Sequence, residues 1–335
     1  MHLRFPPPLA PGARIGVTSP SSGVAGAAAQ RIRFCTAWLE ARGYEVEVGD
    51  CMDGARHVSA PREQRARELT GMLTNSAIKA VVPPWGGETA IDLVDLLDYE
   101  AIAAAAPTWV VGFSDSSTWM LPLTLRAGLA TVHGDNLADT PYKAPSGLAH
   151  WLDLVSANGP VSQRSPGIIA GYWPFEDRAD ATEWKVVGRG NWEVLGGREV
   201  DLTGRLIGGC IETISRLAGT PYGDVARFGA EHGPLLVYLE AAAGPAFDIC
   251  RALHHLRLAG WFNAAAGVLI GRTSAPAERG FTQRDAVVDA LGMLDIPIVF
   301  DLEIGHVPPH LPLINGATAH IVVNKDIQEI TQWQH

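Results

Sequence analysis

Trp109-Val110-Val111-Gly112-Phe113-Ser114-Asp115 is a short apolar run that ends in a glycine and a serine just before a helical stretch. An apolar run of this length, closed by glycine, reads as a buried strand. Ser116 to about Arg126 reads as a helix, with Pro122 as its kink point. A strand–turn–helix of this kind lifts one side chain above the C-terminal edge of a sheet, as a nucleophile elbow does. The second glycine of G-x-S-x-G is missing here, however. A serine before a helix is more often a plain N-cap, and Asp115 would suit the helix dipole. On local pattern alone the cap is the favoured reading.

Working outward, the same alternation repeats. Arg14 to Ser19 reads as a strand, Ala27 to Arg42 as a helix stopped by Gly43, and Tyr44 to Val48 as a strand. Arg62 to Thr74 reads as a helix, Ile78 to Val82 as a strand, and Ala90 to Leu97 as a helix. Strands alternating with helices predict a parallel sheet covered on both faces. Residues 139–165 turn linker-like, rich in Pro, Ser, Gly and Ala. Beyond them, strands are expected at 184–187, 204–207, 235–239, 267–270 and 319–323, and helices at 210–217, 246–259 and 284–294. The expected fold class is α/β, a doubly wound, mostly parallel N-terminal sheet with a smaller α+β domain after it. We place the N-terminal α/β domain at 1–150, a linker and aromatic segment at 151–195, and the C-terminal domain at 196–335.

The 335 residues are 47% hydrophobic and 19% charged, a globular composition. A formal charge of −10 argues against a nucleic-acid polymer or an anionic membrane as partner. The cysteines Cys35, Cys51, Cys210 and Cys250 are widely spaced and form no CxxC, which argues against a disulfide framework or a zinc site. Pro6-Pro7-Pro8 falls where a signal peptide would need its apolar segment, and no apolar run is long enough for a membrane helix. A soluble, cytoplasmic protein is expected.

Three further features could carry chemistry. Gly86-Gly87 follows a predicted strand, where close backbone approach and exposed amides could hold an oxyanion; a plain glycine turn is the commoner case. Glu240 ends the apolar run Leu235–Leu239, so its carboxylate would reach the crevice at a strand's end or simply be solvated there. His306 lies in Gly305-His306-Val307-Pro308-Pro309-His310. The two prolines exclude a helical His306/His310 metal pair, and no third ligand is evident, so no metal is expected. A serine, a histidine and a glutamate could meet in space as nucleophile, base and orienting carboxylate, although spacing alone does not require it.

Taken together, these segments resemble the LD-carboxypeptidase family of serine peptidases, over nearly the whole chain. The resemblance is carried by Leu9 to Ser22, by Asp98-Tyr99-Glu100 followed by Gly112-Phe113-Ser114-Asp115, and by Gly204-Arg205-Leu206-Ile207-Gly208-Gly209. Leu239-Glu240, Gly267 to Arg272 and Gly305-His306 complete the family's order. The resemblance implies Ser114 as nucleophile, His306 as general base and acid, and Glu240 as its orienting carboxylate. It also implies an oxyanion hole from the amides of Asp115 and Gly87, no cofactor, an active site between two domains, and a homodimer. The long segment between Ser114 and Glu240, with Trp173, Trp184 and Trp192, is similar to the MccF-like (microcin C immunity) branch. That similarity implies a small peptide or peptidyl-nucleotide substrate stacked on Trp184, with Trp192 second, and lined also by Gly86 and Cys210. A structural packing role for these tryptophans stays nearly level. Cys210 stands where the family has asparagine, and Ala13 where it has aspartate. A murein LD-carboxypeptidase and a non-catalytic binding protein on the same fold are the alternatives.

Overall fold

The computed structural model describes residues 2–334. Its first part holds the strands β1 (Arg14–Val17), β2 (Glu45–Val48), β3 (Ile78–Val81), β4 (Trp109–Gly112) and β5 (Thr131–His133). Next come β6 (Val161–Arg164), β7 (Ile168–Gly171), β8 (Lys185–Arg189) and β9 (Glu193–Val194). The remainder holds β10 (Val200–Cys210), β11 (Leu235–Glu240), β12 (Ala265–Gly271), β13 (Ile298–Leu302), β14 (Leu313–Asn315), β15 (Thr318–Val323) and β16 (Gln328–Trp333).

The first sheet runs β14-β5-β4-β3-β1-β2, and all its pairs are parallel except β14 with β5. Its central strands are apolar on both faces because helices cover both, as the alternating pattern predicts: β4 is buried at every position. Ile15, Val17, Trp109 and Val111 pack into one core, Ile78, Val81, Val110 and Trp119 into another. The second sheet runs β6-β16-β15-β10-β11-β12-β13-β9, with a parallel centre from β10 to β13 and antiparallel edges. The chain is thus mixed α/β with mostly parallel sheets. No helix among the described residues is long and apolar enough to cross a membrane.

Several elements differ from the sequence expectation. The linker-like stretch 139–165 is packed: it carries a helix at Trp151–Ser156 and the strand β6, with Trp151, Leu154 and Gln163 fully buried. The expected helix from Cys210 begins one residue later and is one turn long, because Cys210 closes the long strand β10. β14 and β16 were not expected. β14 is a three-residue strand directly after Pro312, and β16 reads Gln-Glu-Ile-Thr-Gln-Trp, with few apolar positions although it is paired on both sides, by β6 and β15.

The two sheets are stitched together close to the ends of their strands. β14 comes from the C-terminal part yet joins the first sheet, and Asn315 on it accepts from the Gly208 amide at 3.0 Å and from the Tyr238 hydroxyl at 2.8 Å. The Cys210 amide donates to Ser117 Oγ at 3.2 Å, tying the end of β10 to the helix that follows Ser114.

Candidate active site

β4 ends at Gly112, and the chain turns through Phe113 into Ser114, whose φ of 63° lies in the left-handed region. For a residue with a β-carbon that conformation costs about 1–3 kcal/mol, a strain that surrounding contacts must hold in place. Ser114 opens a short 3₁₀ turn, Ser114–Ser116, which runs into the helix Ser117–Ala127. The cap position of that turn is Phe113 rather than Ser114. The helix-cap reading of Ser114 therefore fails: Ser114 Oγ lies 3.0 Å from His306 Nε2 instead.

His306 sits in the loop after β13, and its Nδ1 is 2.8 Å from Glu240 Oε2. Glu240 ends β11 and is fully buried. Burial disfavours its charge, but His306 and His133 outweigh that and hold its carboxyl below the usual carboxylate range. Burial also works against charge on His306, and the Glu240 carboxylate more than reverses it, raising the imidazole above its ordinary value. Gly305 makes this seat possible. Its φ is 88°, and a β-carbon there would collide with the Glu240 carboxylate. Serine, histidine and glutamate, 66 and 192 positions apart along the chain, thus form one continuous hydrogen-bonded line.

The turn bearing Ser114 is braced from below by Asp115. Its buried carboxylate accepts from Ser21 Oγ at 2.5 Å, from the Ala90 amide at 2.9 Å and from Thr118 Oγ1 at 2.9 Å. Two distant segments, the loop after β1 and the 3₁₀ helix that starts at Ala90, are thereby tied to the first turn of the helix after Ser114, a role that a reading confined to the Asp115 amide and the helix dipole missed. Asn136 adds a fourth tie through the Phe113 amide, at 3.2 Å. The segment Pro83–Gly87 is held between the loops after β1 and β5: Leu137 and Ala138 amides bond Pro83 and Pro84 carbonyls at 2.9 and 3.0 Å, and Trp85 Nε1 donates to the Ser22 carbonyl at 3.1 Å. Gly86 stands directly against the nucleophile position. A β-carbon on it would lie 2.8 Å from the Asp115 amide and 2.9 Å from Ser114 Oγ. The bare glycine therefore leaves open a small space that both an attacking oxygen and a backbone donor border.

Ser114, His306, Gly86, Gly87, Asp139 and Tyr172 line a cavity of about 470 Å³. Asp139 is buried, and that burial pushes its carboxyl up to about 6. The expected aromatic and cysteine contacts are placed differently. Trp184 is half-buried and stacks on Tyr142, ring centroids 4.0 Å apart, with Tyr172 and His310 edge-on at 5.6 and 5.5 Å. Trp192 is only 3% exposed and donates its Nε1 to Glu303 at 2.7 Å, so it is a core residue rather than a ligand platform. Cys210 does not reach the cavity wall. It is buried behind the histidine, with Sγ 3.3 Å from Glu212 Oε2, and burial beside Glu240 and Glu212 raises its thiol well above the ordinary value. Cys210, Glu240 and His306 bring their ligand atoms within 4.8 Å of one another. A metal there would compete with the hydrogen bonds already made by the last two.

One further pair escaped the sequence reading. His310, set aside with the rejected metal pair, is buried with Nδ1 2.5 Å from Asp135 Oδ1 and Nε2 3.0 Å from the Tyr172 hydroxyl. Phe113 separates it from His306, with ring centroids 5.1 and 5.0 Å away.

Comparison with known proteins places this geometry in context. Residues 15–134 match the LD-carboxypeptidase N-terminal domain, and residues 203–321 match the LD-carboxypeptidase C-terminal domain. A Streptomyces coelicolor protein provisionally named a carboxypeptidase is 30% identical, covering 96% of this chain and 94% of its own. The microcin C7 self-immunity protein MccF of Escherichia coli is 23% identical, over 99% and 97%. The murein tetrapeptide carboxypeptidase of Pseudomonas aeruginosa is 26% identical, over 72% and 71%. Among solved structures, MccF in complex with aspartyl sulfamoyl adenosine superposes with a TM-score of 0.85 at 20% identity, covering 99% of both chains.

Proposed function

The chain belongs to the LD-carboxypeptidase family, and from that premise we propose that it works as a serine hydrolase through Ser114, His306 and Glu240. The observation that carries the reading is the unbroken line from Glu240 through His306 to a strained Ser114. His306 Nε2 takes the proton as Ser114 Oγ attacks the substrate amide carbonyl. Glu240 keeps the imidazole in the tautomer with Nδ1 protonated and steadies the imidazolium that forms. The developing oxyanion sits in the gap beside Gly86, which the Asp115 amide borders, and the Gly87 amide is the second donor that the family resemblance implies. His306 returns the proton to the leaving nitrogen. Water, deprotonated by the same histidine, then releases the acyl group from Ser114.

For substrate we propose an aminoacyl- or peptidyl-nucleotide, cleaved at the amide that joins the amino acid to the nucleotide portion. The match over almost the full length of MccF, whose solved complex holds an aminoacyl sulfamoyl nucleoside, supports this. So does the aromatic group of Tyr142, Tyr172 and Trp184 beside the cavity. A murein tetrapeptide is the second reading. It is favoured by one feature, the Trp184 face already occupied by Tyr142, which leaves less ring free for a base. A homodimer in the cytoplasm completes the proposal on the strength of the family resemblance; light scattering on the purified protein tests the dimer.

The decisive experiment combines labelling and turnover. A serine-directed phosphonate labels the wild type stoichiometrically at Ser114, and Ser114→Ala loses hydrolysis of both aspartyl sulfamoyl adenosine and a murein tetrapeptide. Full hydrolysis by Ser114→Ala would sink the mechanism. A wild type that neither labels nor turns over either compound would leave a binding protein on this fold. Which compound the wild type hydrolyses faster decides between the two substrates.

A further inference from the structure

A second cavity, of about 640 Å³, shares His306 and Tyr172 with the first. One wall is the β7–β8 hairpin, which hangs over the histidine loop through the bond from the Ala170 amide to the Pro308 carbonyl at 2.8 Å. The opposite wall comes from the ends of β12 and β13. Besides His306, four charged side chains line it: Arg189, Glu193, Arg272 and Asp301.

Their commitments differ. Arg272 is buried and bonds Glu303 at 2.8 Å and the Ile168 carbonyl at 2.7 Å. Glu193 pairs with Arg284 at 3.0 Å. Asp301 is half-buried, and that burial, reinforced by Glu193, raises its carboxyl toward the neutral form. Arg189, at the last position of β8, is the one cation of the cavity with no carboxylate partner among the described residues. A guanidinium is always charged and offers a planar fork that matches a carboxylate with two parallel bonds. It sits in the same cavity as the histidine proposed to handle the reacting proton. The first cavity offers no such partner for an anion, since the charged groups lining it besides His306 are the carboxylates Glu88 and Asp139.

We propose that Arg189 is the receptor for a carboxylate of the substrate, seated in this second cavity while the scissile amide lies at Ser114. The proposal rests on the reading of Ser114 as nucleophile. Two sources share the chemistry: the acidic side chain of the acyl residue, and the free terminal carboxylate of a peptide.

Equilibrium binding to Ser114→Ala tests this without any need for turnover. Aspartyl and asparaginyl sulfamoyl adenosine form one matched pair, and a murein tetrapeptide with a free or amidated C-terminus forms the other. In the Ser114→Ala background, Arg189→Gln should weaken binding of the carboxylate-bearing member of one pair by about 10- to 100-fold. The neutral member of that pair should bind both proteins alike, and Arg189→Lys should recover part of the loss. The pair that responds identifies the source. Unchanged affinity for all four compounds on Arg189→Gln, or equal weakening of charged and neutral members, overturns the assignment. The nucleophile reading fails separately, by Ser114→Ala retaining turnover or by the phosphonate failing to label the wild type.

Discussion

His306 and His310 lie four residues apart on one loop and make nearly the same bonds. Each imidazole gives its Nδ1 side to a carboxylate, Glu240 at 2.8 Å and Asp135 at 2.5 Å, and each packs against Phe113. Each has its Nε2 3.0 Å from a hydroxyl. They differ in what that hydroxyl is and where the ring stands. His306 faces an aliphatic serine on a strained turn, and a quarter of its side chain is open to the cavity. His310 faces the phenol of Tyr172, and 4% of its side chain is exposed. A histidine–carboxylate pair is therefore a positioning unit that is not reactive in itself. The oxygen at its far end, and access to substrate, decide whether it can do chemistry.

Cutting the two carboxylates in parallel should separate them most. Glu240→Gln leaves the shape intact but no longer enforces the productive tautomer or stabilises the imidazolium. A loss in kcat of about 10³–10⁴ is expected, the scale on which the orienting carboxylate matters in serine hydrolases. Asp135→Asn should cost less than about tenfold in kcat, because His310 touches neither Ser114 nor the oxyanion gap. Steady-state kinetics on the same substrate checks both, with circular dichroism to establish folding. Equal losses would erase the distinction drawn here.

A smaller effect is expected from Gly305→Ala. The alanine must adopt a φ near 88° and place its β-carbon on the Glu240 carboxylate, so Glu240 or the His306 loop must move. A displacement of this order at a catalytic group costs about 10²-fold in rate. The strained backbone should also lower the melting temperature by several degrees. A variant with native kcat would show that the loop tolerates the shift, and that the close seat of Glu240 beside His306 is not required.

The contrast between the two histidines also shows what the sequence could reveal. The parallel first sheet was legible because β1, β3 and β4 are short, largely apolar runs that alternate with helical stretches. Ser114, Glu240 and His306 were individually ambiguous, and only the ordered resemblance over the whole chain singled them out. His310 stayed invisible because its partner, Asp135, is 175 positions away and is joined to it by the fold alone. The Pro308-Pro309 argument rightly excluded a helical metal pair, yet it could not say what else the ring would meet. Trp192 illustrates the opposite error. A tryptophan near charged residues reads equally as a ligand platform or a buried donor, and only Glu303 beneath it settles which.

The smallest expected effect is on stability, and its sign follows from the same pair. Burial works against charge on His310, but Asp135 and Asp139 reverse this and raise the imidazole above its ordinary value. An unfolded histidine titrates at about 6.5. The folded state therefore holds the proton more tightly than the unfolded state does. The stabilisation is fully present below about pH 6.5 and is lost as pH rises through the higher folded value. Asp135→Asn removes most of that preference. The wild type should exceed Asp135→Asn in melting temperature by the widest margin near pH 6, and the margin should narrow on the alkaline side. Asp139, raised to about 6, titrates at the lower edge of this window and is coupled to both Asp135 and His310, so the pair is read from the narrowing of the margin between pH 7 and 9, above the range of Asp139. The effect should amount to a few degrees, read by thermal denaturation from pH 5.5 to 9. A margin independent of pH would mean that the pair is held as a neutral hydrogen bond. In that case the two histidines would differ in their resting charge as well as in the oxygen each one faces.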